Sequence, residues 1–67
     1  MTTTNPLTDR ETQVLQGIAN GLTYFDIAEQ LHVSRETVAK HAANLIRKLE
    51  AGNRTHAVVI ALRAGLL

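Results

Sequence analysis

The sequence predicts an all-α fold of four helices. Three observations carry that expectation. Apolar residues recur at spacings of three and four along most of the chain. Each such run opens on a residue suited to cap a helix. The connections between runs are two to four residues long, and none of the runs reads as a strand.

The elements follow in order. Residues 1–6, polar and containing Pro6, are expected as a flexible tail ahead of a single domain of residues 7–67. "TDRE" at residues 8–11 is a capping box: the Thr8 hydroxyl accepts from the backbone N–H of residue 11, and the Glu11 carboxylate reaches back. Val14, Leu15, Ile18, Ala19 and Leu22 then form the inner stripe of a first helix that Gly21 stops. "TYFD" at residues 23–26 opens a second, short helix carrying Ile27, Ala28 and Leu31. "HVS" turns the chain, with Val33 plugging the turn into the core and Ser34 capping a third helix over residues 34–50. Asn53 caps a fourth helix that runs to Gly65; its valines and isoleucine favour strands mildly, but the cap and the stop argue for helix. On that helix Ala57, Ala61 and Ala64 share a face expected to pack inward. His56, Val59 and Arg63 share the other face, with Ile60 and Leu67 on its border.

Composition narrows the function. The absence of cysteine excludes disulfides and thiolate metal sites. His32, His41 and His56 lie nine and fifteen residues apart, which is not the spacing that puts two ligands on one helix face, so no metal or other cofactor is expected. No apolar run approaches the ~20 residues of a membrane span. "MTTTNP" has neither a basic start nor an apolar core, so it does not read as a signal peptide. The chain is expected to be soluble and cytoplasmic, either whole or as part of a larger cytoplasmic protein. An enzyme is not expected, because no nucleophile is placed beside a base. Asp9, Glu11 and Glu36 each fall in a helix first turn, where a carboxylate is favourable for structural reasons.

Charge is unevenly placed. Residues 1–33 hold one basic and four acidic side chains, whereas residues 34–54 hold five basic and two acidic. A local positive segment suits a polyanion, though a solvated helix face would look the same. A short helix joined by a tight turn to a long, basic one describes a helix-turn-helix. On a wheel of the third helix, Val38, Ala42, Leu45 and Leu49 fall within about 60° of one another, flanked by Ile46 and His41. Opposite lie Glu36, Lys40, Ala43, Asn44 and Arg47, free to enter a major groove.

"LTDRETQVL", "IANGLTYFDIAEQLHVSRETVAKH", "NLIRKL" and "NRTHAVVIALRAGLL" stand in the order and spacing of one family. Over residues 7–67 the chain resembles the LuxR/GerE-type helix-turn-helix domain of bacterial transcription regulators. The resemblance implies four helices, a third helix that reads the major groove and a fourth that forms a two-fold dimer on DNA. It places Thr37 and His41 of the "TVxxH" element near the DNA backbone and Val38 in the core. Asn44, Arg47 and Lys48 fall where the family meets phosphates, and Lys40 at a base-facing position. The chain departs from the family at Ala39, where lysine is common, at Ala43, where a polar or basic residue is common, and at Tyr24 and Phe25, where small polar and charged residues stand.

The resulting expectation is a sequence-specific, DNA-binding transcriptional regulator or its output domain. Its partner is double-stranded DNA. Phosphates are met by Thr23, Tyr24, Thr37, His41, Asn44, Arg47 and Lys48; bases are read by Arg35 and Lys40, with methyl contacts at Ala39 and Ala43. The dimer face comprises His56, Val59, Ile60, Arg63 and Leu67. Three residues keep open readings. His41 is a packed histidine or a phosphate contact; Phe25 is core, a partner contact or incidentally exposed; Arg54 braces the fold through Glu11 or a carbonyl, or touches DNA. The competing function is a protein-interaction module that binds another regulator or RNA polymerase through Tyr24, Phe25 and the last helix.

Overall fold

A computed structural model describes residues 5–67 and comprises four helices: α1 (Asp9–Ala19), α2 (Tyr24–Leu31), α3 (Arg35–Lys48) and α4 (Arg54–Arg63). Each begins where the sequence places a cap. The Thr8 hydroxyl accepts from the Glu11 N–H at 3.1 Å, and the Glu11 carboxylate accepts from the Thr8 N–H at 2.9 Å. Thr23 and Asp26 repeat the reciprocal pair at 3.1 Å each way. The Ser34 hydroxyl accepts from the Thr37 N–H at 3.1 Å, and the Asn53 carboxamide oxygen from the His56 N–H at 2.8 Å. These side chains satisfy donors that a helix start leaves without partners.

The four ends share one device. A residue with positive φ follows each helix: Gly21 (81°), His32 (57°), Glu50 (54°) and Gly65 (74°). The next residue, Leu22, Val33, Ala51 or Leu66, sends its N–H back to a carbonyl five residues earlier, at 2.8 to 3.0 Å. Each of those four apolar side chains packs against the core. This is the Schellman arrangement, in which left-handed backbone satisfies the last carbonyls and a hydrophobic contact pins the exit. It also makes two adjustments to the expected spans. The third helix ends at Lys48, with Leu49 as its cap, instead of running to Glu50. Leu22 lies past the end of α1 and reaches the core from the turn, while Ala19 is exposed.

The core gathers Leu7, Val14, Leu15, Ile27, Ala28, Val38, Ala42, Leu45, Ala57 and Ala61. α3 packs on both α1 and α2, and α4 on α1 and α3. α1 and α2 approach closely at Gly17, where an added Cβ would stand 2.6 Å from the buried Ile27 side chain. Ala57 and Ala61 pack inward as expected, but Ala64 does not: it caps α4 and is exposed. Of the expected tail, residues 1–4 lie outside the described residues. Asn5 and Pro6 are exposed, and the Asn5 carboxamide oxygen accepts from the Leu7 N–H at 2.9 Å. No helix among the described residues is long and apolar enough to cross a membrane.

Candidate nucleic-acid interface

The inner stripe fixes the roll of α3. Val38, Ala42 and Leu45 are fully covered, with Ile46 and Leu49 packed at their edge. Glu36, Ala39, Lys40, Ala43 and Arg47 are consequently exposed together along the opposite side, and Arg35 at the helix start is exposed with them. Thr37, His41 and Asn44 are half-buried at the flanks. The Thr37 hydroxyl lies 2.9 Å from the Ser34 hydroxyl, within the cap of α3.

Lys48 occupies a different position from the rest of the expected phosphate set. Its ammonium donates to the Glu11 carboxylate at 2.7 Å and joins the end of α3 to the first turn of α1. Glu11 is 3% exposed. Burial by itself opposes its charge and is the largest influence, but the hydrogen bonds from Lys48 and from the Thr8 N–H, with the nearby positive charge, outweigh it and hold the carboxyl below its usual range. A lysine held this way is a brace for the fold. The brace at Glu11 is thus Lys48, where the sequence suggested Arg54.

Arg54 instead lies over the Tyr24 ring, its guanidinium carbon 5.3 Å from the ring centre. Arg35 lies over Phe25 at 5.9 Å. Tyr24 is half-buried and packs on the core; Phe25 is 54% exposed, so it is not a core residue. The two rings and two arginines line an open groove of about 740 Å³, together with Thr23, Glu36 and Ala39. A ring face attracts a cation without supplying an oxygen acceptor, so both arginines keep N–H donors for other partners. Sequence alone gave no signal for these pairings, because each depends on how the starts of two different helices meet.

On α4, His56, Val59 and Arg63 are exposed and Ile60 is half-buried. The His56 Nδ1 accepts from the Gly52 N–H at 3.0 Å, so that nitrogen is engaged within the turn. Leu67 is half-buried against the core and borders a hollow with Gln16, Ala19, Asn20 and Leu62. Leu62, 58% exposed, escaped the sequence reading although it stands about 60° from Val59 on the wheel.

Comparison with known proteins matches this arrangement. The family described as GerE, bacterial regulatory proteins of the luxR family, matches residues 5–61. The uncharacterized transcriptional regulatory protein YxjL of Bacillus subtilis (strain 168) is 48% identical over 62 residues, covering 92% of this chain and 28% of that protein. A nitrate/nitrite response regulator protein homolog of Haemophilus influenzae is 52% identical over 54 residues, covering 81% of this chain and 26% of its own. This chain therefore spans about a quarter of the length of these relatives. Among solved structures, the transcription factor GerE superimposes with a TM-score of 0.87 at 35% identity, covering 92% of both chains. Full-length FixJ from B. japonicum superimposes at 0.78 and 36% identity, covering 91% of this chain and 30% of that one. By sequence and by fold, the chain belongs to the LuxR family of bacterial regulatory proteins and carries its GerE-type helix-turn-helix domain.

Proposed function

We propose that this domain binds double-stranded DNA in a sequence-specific manner and serves a transcriptional regulator, with α3 as the reading helix in the major groove. The observation that carries the reading is the exposed side of α3: Arg35, Lys40 and Arg47 are open to solvent while the opposite stripe is sealed. Arg35 and Lys40 read bases, and Ala39 and Ala43 let the helix approach closely enough for methyl contacts. Thr23, Tyr24, Thr37, His41, Asn44 and Arg47 meet phosphates, joined by Arg54 from the far wall of the groove. Lys48 leaves the phosphate set, since its charge is already answered by Glu11. Two copies meet through α4 on paired half-sites.

The test is a salt titration of binding to random duplex. Each phosphate contact contributes a slope of about −0.9 in log affinity against log salt. Arg47→Ala is expected to lower the slope by about 1 and to weaken random and preferred duplexes alike. Lys48→Ala is expected to leave the slope unchanged and to lower the melting temperature instead. Salt-independent or absent DNA binding would favour the protein-interaction reading, for which the exposed Phe25 is the supporting observation.

A further inference from the structure

Phe25 is the residue of this interface that no role yet explains. An aromatic ring is ordinarily buried, yet this one is 54% exposed at the start of α2. The Arg35 guanidinium carbon lies 5.9 Å from its centre, within the range in which a ring face attracts a cation. Arg35 is the first residue of α3, and among the described residues no carboxylate is bonded to it.

We propose that Phe25 is a positioning residue for base readout: its ring holds the Arg35 guanidinium at the leading end of α3 before DNA arrives. The proposal rests on the reading of α3 as the DNA-reading helix. Arginine has large rotamer freedom, and recognition of a guanine edge by both prongs of the guanidinium requires one orientation. A ring that restricts the side chain in the free protein reduces what must be ordered on binding. A ring is also the right kind of holder. A carboxylate partner would occupy the N–H fork and have to be displaced, whereas a ring face attracts the cation without supplying an oxygen acceptor and leaves the fork without a competing partner.

The experiment uses the 67-residue chain with two probes, a duplex recovered by selection from a random library and unselected random duplex. Phe25→Leu keeps the apolar bulk and removes the ring; Phe25→Trp keeps a ring. Phe25→Leu is expected to reduce the preference for the selected duplex roughly two- to five-fold, the size of an exposed cation–π contact, and Phe25→Trp to retain it. In an Arg35→Ala background Phe25→Leu is expected to cause no further loss. In the free protein, NMR is expected to show Arg35 side-chain protons shifted upfield by the ring and restored to ordinary positions by Phe25→Leu. An equal loss from Phe25→Leu in the Arg35→Ala background would mean that the ring touches DNA itself and would overturn the proposal, as would unshifted Arg35 protons in the free wild-type chain. A wild-type chain that binds every duplex alike, or none, overturns the DNA reading beneath it, and the NMR result separates that failure from failure of the Arg35–Phe25 contact.

Discussion

Glu11 shows how one side chain serves two elements. It closes the capping box of α1 and, through the same Oε1, holds Lys48 at the end of α3. The capping role was readable because its partner is three residues away. The bridge was not, because Lys48 is 37 residues away and no local pattern connects them. Its energetic consequence has a defined sign. The folded-state pKa of Glu11 is lowered, so the carboxylate contributes stability that is present above its ordinary value of 4.5 and is lost as pH falls through the folded value. Glu11→Gln is therefore expected to lower stability at pH 7 by about 1–3 kcal/mol, because Lys48 is left without its countercharge. It should also flatten the decline in acid. Urea unfolding at pH 7 and at two points below pH 4.5 checks both; an acid limb as steep as that of the wild type would remove Glu11 as the titrating group.

The elements repeat one design at their ends, and its economy varies from helix to helix. Gly21 and Gly65 adopt left-handed backbone without hindrance, whereas His32 and Glu50 adopt it with a Cβ in the way. Glu50 is exposed, so removing its side chain vacates no core position. Glu50→Gly is expected to stabilise the domain by about 0.5–1 kcal/mol, the left-handed penalty less the extra entropy of glycine in the unfolded chain. A lower urea midpoint would show that the Glu50 side chain is stabilising in its own right. Gly17 presents the opposite case. Alanine is the better helix former by about 1 kcal/mol, but its Cβ would sit 2.6 Å and 2.8 Å from two carbons of Ile27, which is itself buried on all sides. Overpacking of this kind costs about 1–3 kcal/mol. Gly17→Ala is expected to lower the thermal midpoint, and Gly17→Ala with Ile27→Val to recover part of the loss. The starts of the helices were legible from four caps, and so was the stripe that orients α3. Their ends were less legible, since Glu50 does not announce a left-handed position and His32 announces one far more weakly than a glycine does. For the same reason of distance, the stacking of Arg35 and Arg54 on the two rings had no sequence signature.

At the scale of the whole molecule, the question is what covers α4. Val59 and Leu62 are 36% and 58% exposed on neighbouring positions of its outer side, between His56 and Arg63. Single exposed apolar residues need no explanation, but a contiguous group does. A second copy meeting the same patch through a two-fold axis would bury it by self-complementarity, each valine and leucine finding its equivalents. Leu67 contributes less than its sequence position suggested, because it is already turned toward the core. A patch of four or five residues is far below the ~800 Å² per partner of a stable interface, so it would hold a dimer weakly in solution. On DNA the balance changes. Under the proposed function, two half-sites would fix two copies side by side, and the second contact would then draw on an effective concentration in the millimolar range. The informative variant is Leu62→Glu, because a residue this exposed can be replaced with little effect on folding, about ±0.5 kcal/mol. The expected result is an unchanged melting temperature, near-normal binding to a duplex with one half-site, and loss of cooperative binding to a duplex with two. Placing glutamates opposite one another across the axis adds repulsion to lost burial, so the effect on the paired site should exceed that of Leu62→Ala. If Leu62→Glu binds the paired site as cooperatively as the wild type, α4 is not the face through which two copies meet, and its outer side is left for a different protein.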